Sequence, residues 1–175
     1  MSALLNSLIV IATIVTMELV ARYSHEYIMH GWGWTWHKSH HEHHAKKFER
    51  NDLYAVVFAV PSILLIYFGV EFDHWLLWVG VGMTAYGLLY FLFHDALVHN
   101  RWSIKLVPKG LYMKRIVQAH RMHHAVHTRE GCVSFGFLYA PSIHKLKAEL
   151  RARNPNISND ATHEAETEKH GSIAS

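Results

Sequence analysis

The sequence predicts an all-α integral membrane protein with about three transmembrane helices, a short re-entrant or interfacial segment and a cytoplasmic, histidine-rich helical cap. Two observations support this prediction. Half of the 175 residues are hydrophobic and only 18% are charged, which is low for a soluble domain. Ten of the 17 histidines stand in four short clusters that follow the same order twice along the chain.

Three apolar runs predict the transmembrane helices. Residues 3–21 contain Glu18 as their one charge, and residues 53–70 and 75–93 contain none. About 20 apolar residues cross the roughly 30 Å of hydrocarbon in a bilayer. Buried helices of a soluble bundle are the alternative, but three such runs would occupy too much of so short a chain.

The distribution of basic residues predicts the orientation of these helices. All 17 Lys and Arg residues lie within 22–50, within 101–129 or from 145 onward. By the positive-inside rule these three regions are cytoplasmic. The second and third helices then form a hairpin, so that both halves of the histidine pattern emerge on the same side of the membrane.

The rest of the chain is assigned by length and composition. The apolar patch 132–143 is too short to cross a bilayer and contains Gly136 and Pro141, so we expect a re-entrant or interfacial segment. Residues 1–150 are expected to form the membrane domain, and residues 151–175 a polar, disordered cytoplasmic tail.

The single cysteine, Cys132, excludes a disulfide framework and a cysteine-based zinc or iron–sulfur site. No nucleic-acid motif is found, since the basic residues form no groove-binding stripe.

The histidine pattern is HxxxxH followed by HxxHH, and it occurs twice. Helix packing gives no reason for so many neutral imidazoles at a repeated spacing. Transition-metal ligation explains them, since imidazole nitrogens are common metal ligands. Ten ligands indicate more than one metal ion. The candidate ligands are His25, His30, His37, His40, His41, His94, His99, His120, His123 and His124.

Helical geometry suits the HxxHH clusters better than the HxxxxH pairs. Each residue of an α-helix turns by about 100°, so the three histidines of HxxHH point from one side, while adjacent histidines diverge enough to face different ions. On the same helix, two side chains five positions apart point in directions that differ by roughly 140°. Either a π-bulge brings the HxxxxH histidines together, or each of them faces a different ion.

Two carboxylates are candidate acceptors that orient an imidazole N–H. Glu18 lies seven residues before His25 on nearly the same helix face, and an ionisable group in a membrane span is a functional candidate. Asp95 is adjacent to His94. The alternatives are a partnered carboxylate without a role and a solvated charge at a helix end. Ligation by His43, His44 or His127 is a weaker prediction, and four histidines are expected at the surface: His74, His144, His163 and His170.

Ligand number favours iron among the metals that imidazole suits. A zinc ion usually takes four ligands, whereas two octahedral ions accommodate ten and keep positions for water or O2. This favours a non-haem di-iron centre. A bis-histidine haem protein is the competitor, but axial haem ligation has no use for a repeated HxxHH.

Longer segments around the histidines resemble the bacterial β-carotene hydroxylases, which belong to the membrane fatty-acid hydroxylase and sterol-desaturase superfamily. The similarity runs from about residue 15 to residue 145 and includes HGWGWTWHKSHH, NDLYAVVFA, MTAYGLLYFLFHDALVH, HRMHHA and EGCVSFGFLYAP. It implies a di-iron monooxygenase of the bacterial inner membrane, with the ten histidines as ligands and O2 as oxidant. Zinc is a possible substitute for iron in a purified sample.

The resemblance also implies the reaction. The family adds a hydroxyl at carbon 3 of each β-ionone ring, converting β-carotene through β-cryptoxanthin into zeaxanthin with electrons from a ferredoxin-type donor. Ketolated rings are often accepted, which leads from canthaxanthin to astaxanthin. The basic surface with Lys105, Lys109, Lys114 and Arg115 is a candidate docking site for an acidic donor, although the positive-inside rule alone also explains it.

An apolar carotenoid is expected to enter from the bilayer through a channel between the helices. The candidate wall residues, for which helix packing or lipid contact is the alternative, are Met83, Tyr86, Leu89, Tyr90, Phe93, Phe135 and Phe137.

Two other functions remain compatible with the sequence. One is a fatty-acyl or sterol hydroxylase or desaturase of the same superfamily, with the same ligands and a different channel. The other is a membrane metal transporter or sensor. Transporters usually place their ligands at mid-bilayer between broken helices, whereas these histidine clusters stand at the ends of the predicted spans.

Overall fold

The computed structural model describes residues 2–42, 48–101 and 106–155, and within these ranges the chain is helical without strands. This confirms the all-α fold class. Six α-helices, α1 to α6, span Ala3–Tyr23, Trp34–His41, Leu53–Glu71, Leu76–Tyr90, Gly110–His124 and Ile143–Arg153. Two π-helices, Ser24–Trp32 and Phe91–Val98, continue α1 and α4, and a 3-10 turn, Arg50–Asp52, leads into α3.

Three continuous helical stretches of the described chain are long and apolar enough to cross a membrane. They are Ala3–Trp32, Arg50–Glu71 and Leu76–Val98, with 30, 22 and 23 residues. The three predicted spans are therefore confirmed by length and composition. The first and third stretches exceed the predicted apolar runs because the π-helices extend α1 and α4 without a break.

Small residues allow the three long helices to approach closely. On α4, Gly82 faces Thr13 of α1, and a Cβ at Gly82 would lie 2.6 Å from the Thr13 Cβ. The Ser62 hydroxyl of α3 donates to the Gly80 carbonyl of α4 at 2.9 Å. Close backbone approach and interhelical hydrogen bonds are the usual means of helix association in lipid.

Both HxxxxH pairs coincide with the π-helices, with His99 as the C-cap of the second. The His99 N–H donates to the His94 carbonyl at 3.0 Å, which is the i to i+5 bond of a π-turn. Residues five apart then lie one above the other instead of about 140° apart. Of the two alternatives left open by the spacing, the structure therefore has the π-helical one. The first π-helix is interrupted at Gly31, whose φ of −103° and ψ of −125° turn the chain into α2.

Glu18 connects α1 to the segment that precedes α6. Its Oε1 accepts the backbone N–H groups of Phe137, Leu138 and Tyr139 at 3.0, 3.0 and 3.1 Å. Its Oε2 accepts the Tyr86 hydroxyl of α4 at 2.8 Å. The predicted contact between Glu18 and an imidazole N–H is not among the hydrogen bonds of the described residues. The carboxylate instead holds the apolar patch against α1 and α4.

The apolar patch 132–143 packs mainly inside the protein. Cys132, Val133 and Ala140 are buried in one core with residues of α5 and α6. Helix α6 begins at the N-cap Ser142 and ends at Arg153, so it extends three residues into the region predicted as a disordered tail. The Arg153 guanidinium donates to the Cys132 carbonyl at 2.8 Å, which explains the added turn. Residues 156–175 of the predicted tail lie outside the described residues.

We expect Gly69→Ala to destabilise the α3–α4 hairpin. A Cβ at Gly69 would overlap the backbone nitrogen of Leu77, which cannot move away without displacing α4. Overpacking of this kind costs about 1–3 kcal/mol. Thermal unfolding in detergent measures the loss. Gly87→Ala on α4 is the matched control, because a Cβ at Gly87 would have no neighbouring atom within 4 Å. Equal unfolding midpoints for the two variants would contradict the proposed close contact.

Candidate metal centre

The ten histidines of the four clusters converge into two groups of five. Nε2 atoms within each group approach one another to between 2.9 and 3.3 Å. Group A consists of His25, His30, His37, His41 and His123, and group B consists of His40, His94, His99, His120 and His124. Four members of each group have ligand atoms that all lie within 4.8 Å of one another. The groups are adjacent, since the His41 and His124 rings stack at 4.5 Å.

The grouping follows from the helical geometry. On α2, His40 belongs to group B and its neighbour His41 to group A, and on α5 His123 and His124 divide in the same way. Adjacent imidazoles thus face different groups, as the α-helical spacing predicts. The HxxxxH histidines instead stay together, one pair in each group, because the π-helices align residues five apart.

Oxygen atoms outside the groups fix the imidazole rings through Nδ1. In group A the Nδ1 atoms of four histidines lie 2.9–3.0 Å from backbone carbonyls, and that of His37 lies 2.7 Å from Asn51 Oδ1. The four carbonyls belong to Val126, Arg129, Val133 and Phe135. In group B, His40 Nδ1 lies 3.0 Å from Glu49 Oε2 and His94 Nδ1 lies 2.7 Å from Asp95 Oδ1.

These outer bonds determine which ring nitrogen carries the proton. Carbonyl and carboxylate oxygens only accept, so in the seven histidines with an outer oxygen partner Nδ1 donates and Nε2 keeps its lone pair. The lone pairs of His30 and His123 then face each other at 3.2 Å, and those of His40 and His94 at 3.0 Å. Such pairs repel unless a cation lies between them. The residues therefore fit transition-metal ions, one in each group.

Burial keeps the imidazoles in the form that binds metal. It lowers the pKa of His37 to about 2 and that of His41 to about 4, against an ordinary value of 6.5. Burial also lowers the pKa of His120 and of His123. All four are neutral at pH 7, as metal ligation requires.

Cys132 lies near group A but remains a thiol. Its sulfur is within 4.8 Å of nitrogens of His30, His41 and His123. Burial raises the pKa of this thiol to about 12, and Sγ is 3.7 Å from the Val126 carbonyl as a weak donor. The thiolate is the form that ligates metal, so Cys132 would have to lose its proton to join group A, and the exclusion of a cysteine-based site stays a prediction.

Sequence reasoning found one of the side chains that orient the imidazoles and missed two. Asp95 accepts from His94, in the place expected for it. Glu49 and Asn51 were missed, although both stand on the short polar stretch that leads into α3. The signal was present there as three acceptor side chains within four residues, ERND. The backbone carbonyls give no sequence signal at all.

The remaining histidines lie outside both groups or outside the described residues. His127 Nδ1 donates to the His41 carbonyl at 2.9 Å. His74 and His144 are exposed, as predicted. The other predicted histidines, His43, His44, His163 and His170, lie outside the described residues, as does Lys105.

An apolar cavity of 450 Å³ lies between α1, α3 and α4. Exposed small residues of α3, Ala55 and Ala59, form its outer edge, and Met17 and Tyr86 close it on the buried side. Four of the seven predicted channel residues line it: Met83, Tyr86, Tyr90 and Phe137.

The other three predicted channel residues are not part of the cavity wall. Phe135 packs edge-on against the His25 ring at 5.5 Å. Phe93 contacts Tyr112 at 6.5 Å, and Leu89 is also absent from the lining.

The inner end of the cavity meets both histidine groups through two aromatic rings. Tyr90 stacks on His94 of group B at 4.5 Å. Phe137 stacks on His25 of group A at 5.2 Å and meets His94 edge-on at 5.3 Å. One layer of side chains therefore separates the apolar cavity from the candidate metal positions.

Comparison with known proteins finds relatives that are all named β-carotene hydroxylases. The chain is 61% identical over 149 residues to β-carotene hydroxylase of Pantoea ananas, with 85% of each chain covered. It is 54% identical over 145 residues to β-carotene hydroxylase of Paracoccus sp. (strain PC1), with 82% of this chain and 90% of that protein covered. A chloroplastic β-carotene 3-hydroxylase of Haematococcus lacustris is 40% identical, with 77% of this chain and 43% of that protein covered. No family model and no solved structure matches.

We expect the purified protein supplied with ferrous iron to retain two ions per chain, and His123→Ala to retain fewer. His123 is fully buried in group A, so its removal takes one candidate ligand away from that group. Elemental analysis after desalting measures the ratio, and circular dichroism checks that the variant is folded. His144→Ala is the control, because that residue is exposed on α6. A folded His123→Ala protein with undiminished metal would contradict the assignment.

Proposed function

Because this chain belongs to the β-carotene hydroxylase family, we propose that it is an O2-dependent hydroxylase of carotenoids in a membrane. The proposed reaction adds a hydroxyl at carbon 3 of the β-ionone rings, from β-carotene through β-cryptoxanthin to zeaxanthin. Canthaxanthin would lead to astaxanthin in the same way. The observation that supports this proposal most directly is the apolar cavity that ends at ten converging imidazoles.

We propose that each histidine group holds one iron ion. Five imidazoles per ion leave one position of an octahedron for an exogenous ligand, and zinc would bind the same nitrogens as a substitute. When bound, the ions supply the oxidation of an unactivated C–H bond by O2, in which one oxygen atom enters the product and the other leaves as water with two electrons and two protons consumed. Oxidation of that C–H bond needs no acid or base from the protein. The role of the chain is to hold the two ions and to position the substrate ring.

The cavity suits an apolar substrate that enters sideways from lipid. Its outer edge consists of small exposed residues of α3 and α4, among them Ala55, Ala59 and Gly87. Its volume lies in the range of about 300–1,000 Å³ that is typical of small-molecule sites. One ring end of a carotenoid would occupy the cavity, and the polyene would extend from it along the lipid-facing surface.

Phe137 is the proposed positioning residue at the inner end. It is buried, lines the cavity and contacts rings of both histidine groups. The backbone N–H of Phe137 donates one of the three hydrogen bonds that Glu18 Oε1 accepts from the main chain. This bond fixes the backbone that carries the Phe137 ring. A ring carbon that packs against Phe137 would therefore be held at a constant distance from the two groups.

We propose that electrons arrive from a ferredoxin-type donor on the side of the histidine groups. Helix α5 contains His120, His123 and His124 at its end and the basic residues Lys114 and Arg115 in its middle. An acidic donor that docks on this basic surface would approach the centre along one helix. From the positive-inside rule we propose that this side faces the cytoplasm and that the membrane is a bacterial inner membrane.

Expression in a host that accumulates β-carotene tests the reaction. We expect zeaxanthin and β-cryptoxanthin when the protein is present and iron is supplied, measured by chromatography of the extracted pigments. Lipid profiling of the same cells separates carotenoid hydroxylation from fatty-acyl or sterol modification. Unchanged β-carotene beside a changed lipid profile would contradict the proposed substrate.

We expect Ala59→Phe to lower carotenoid hydroxylation by about 10-fold or more, since displacing a substrate by about 1 Å can cost about 100-fold in rate. Ala59 lines the cavity from α3, and a benzyl group there would fill space that the ring end requires. Ala12→Phe is the matched control, because Ala12 is exposed on α1 away from the cavity lining. Metal content should be unchanged in both. Equal activities would show that the substrate does not occupy this cavity.

A further inference from the structure

We infer that the two metal positions are electrostatically unequal, with group B facing buried carboxylates and group A facing uncharged acceptors. This inference rests on the proposed di-metal site and adds a difference between its two halves. It assigns a role to Glu49 and Asp95 as positioning residues that act on the ions through His40 and His94.

The carboxylates of group B are close and shielded from solvent. Glu49 Oε2 lies 3.0 Å from His40 Nδ1, and Asp95 Oδ1 lies 2.7 Å from His94 Nδ1. The side chains of Glu49 and Asp95 are only 9% and 14% exposed, so water screens their charges weakly. The two imidazoles face each other through Nε2 at 3.0 Å, so both charges act on the same candidate metal position.

Group A has a different set of partners among the described residues. Four of its Nδ1 atoms donate to backbone carbonyls, and the fifth donates to the Asn51 amide oxygen. None of these acceptors is charged. The contrast is sharpest along one short turn, where Asn51 serves group A through His37 while Glu49, two residues earlier, serves group B through His40.

Arg101 binds a third carboxylate, Asp52, more closely than it binds the carboxylates of group B. Its guanidinium makes two bonds of 2.9 Å to Asp52. Its contacts to Asp95 and Glu49 are longer, at 3.5 and 3.8 Å. Within the described ranges, the Arg101 guanidinium thus binds most closely the carboxylate that contacts no histidine. Glu49 and Asp95 keep their hydrogen bonds to His40 and His94.

The inequality has a defined chemical consequence. A carboxylate that accepts the N–H of a ligating imidazole makes that imidazole more basic, and loss of such a partner usually weakens metal binding by about 10- to 100-fold. The ion in group B should therefore be held more tightly. Its oxidised state should also be favoured relative to that of the ion in group A, because added negative charge stabilises the higher metal charge.

Mössbauer spectroscopy of the full-length protein, reconstituted anaerobically with ⁵⁷Fe²⁺ in detergent, tests this inference. We expect two quadrupole doublets of equal area. Asp95→Asn and Glu49→Gln keep the shape and an acceptor oxygen but remove the charge. Each should move one doublet only, the same one, and weaken one of the two ions about 10- to 100-fold in chelator competition.

Asn51→Asp is the matched control in the opposite direction. It places a carboxylate behind His37 of group A, so it should move the other doublet and leave the first unchanged. Glu49 also caps the turn Arg50–Asp52, so Glu49→Gln can disturb folding. If that variant misfolds, Asp95→Asn, which is outside the turn, is the test of charge removal.

The outcomes separate this inference from the proposed function. Two retained ions with one doublet, or a charge-removing variant that moves both doublets equally or neither, would overturn the inequality and leave the di-metal site standing. Fewer than two retained ions in the unaltered protein would contradict the di-metal site and, with it, this inference.

Discussion

The structure depends on the convergence of imidazole Nε2 atoms, most of which carry a lone pair. Each of the ten Nε2 atoms lies 2.9 to 3.3 Å from at least one other, while outer oxygens hold the Nδ1 protons of most rings. Such an arrangement is unfavourable for the bare protein and favourable around cations. Each outer acceptor therefore has two effects, since it selects the tautomer and it resists the rotation that would relieve the repulsion.

The helices are shaped to make that convergence possible. A regular α-helix would turn His25 away from His30, and both transmembrane stretches become π-helical where the pairs occur. π-Helical turns are rare and are often found at functional sites. Ser134 has a left-handed φ of 61° between Val133 and Phe135, whose carbonyls accept from His123 and His25. A non-glycine residue in this conformation costs about 1–3 kcal/mol, so Ser134 holds strain beside the candidate metal positions.

Sequence periodicity was enough to predict the three long helices and the divergence of adjacent histidines, because both depend on local helical geometry. It left the HxxxxH pairs ambiguous, since the choice between an α- and a π-turn depends on what the imidazoles meet across the fold. Glu18 was assigned to an imidazole from its helix face and from its charge within a membrane span, with a partnered carboxylate as the alternative. Its actual donors are the N–H groups of Phe137, Leu138 and Tyr139, which are about 120 residues away in sequence and identifiable only after folding.

The proposed metal ligation and the proposed substrate positioning would share one backbone segment, residues 133–139. At its start the carbonyls of Val133 and Phe135 orient His123 and His25, and two residues later the Phe137 ring ends the apolar cavity. Glu18 fixes the far end with a carboxylate that accepts four hydrogen bonds, which offsets the cost of a charge within a membrane span. A displacement of this segment would move the imidazoles and the cavity wall together. In the proposed enzyme the distance between substrate and metal would therefore be set by a single connected piece of chain, and it would not depend on two independently folded parts of the protein.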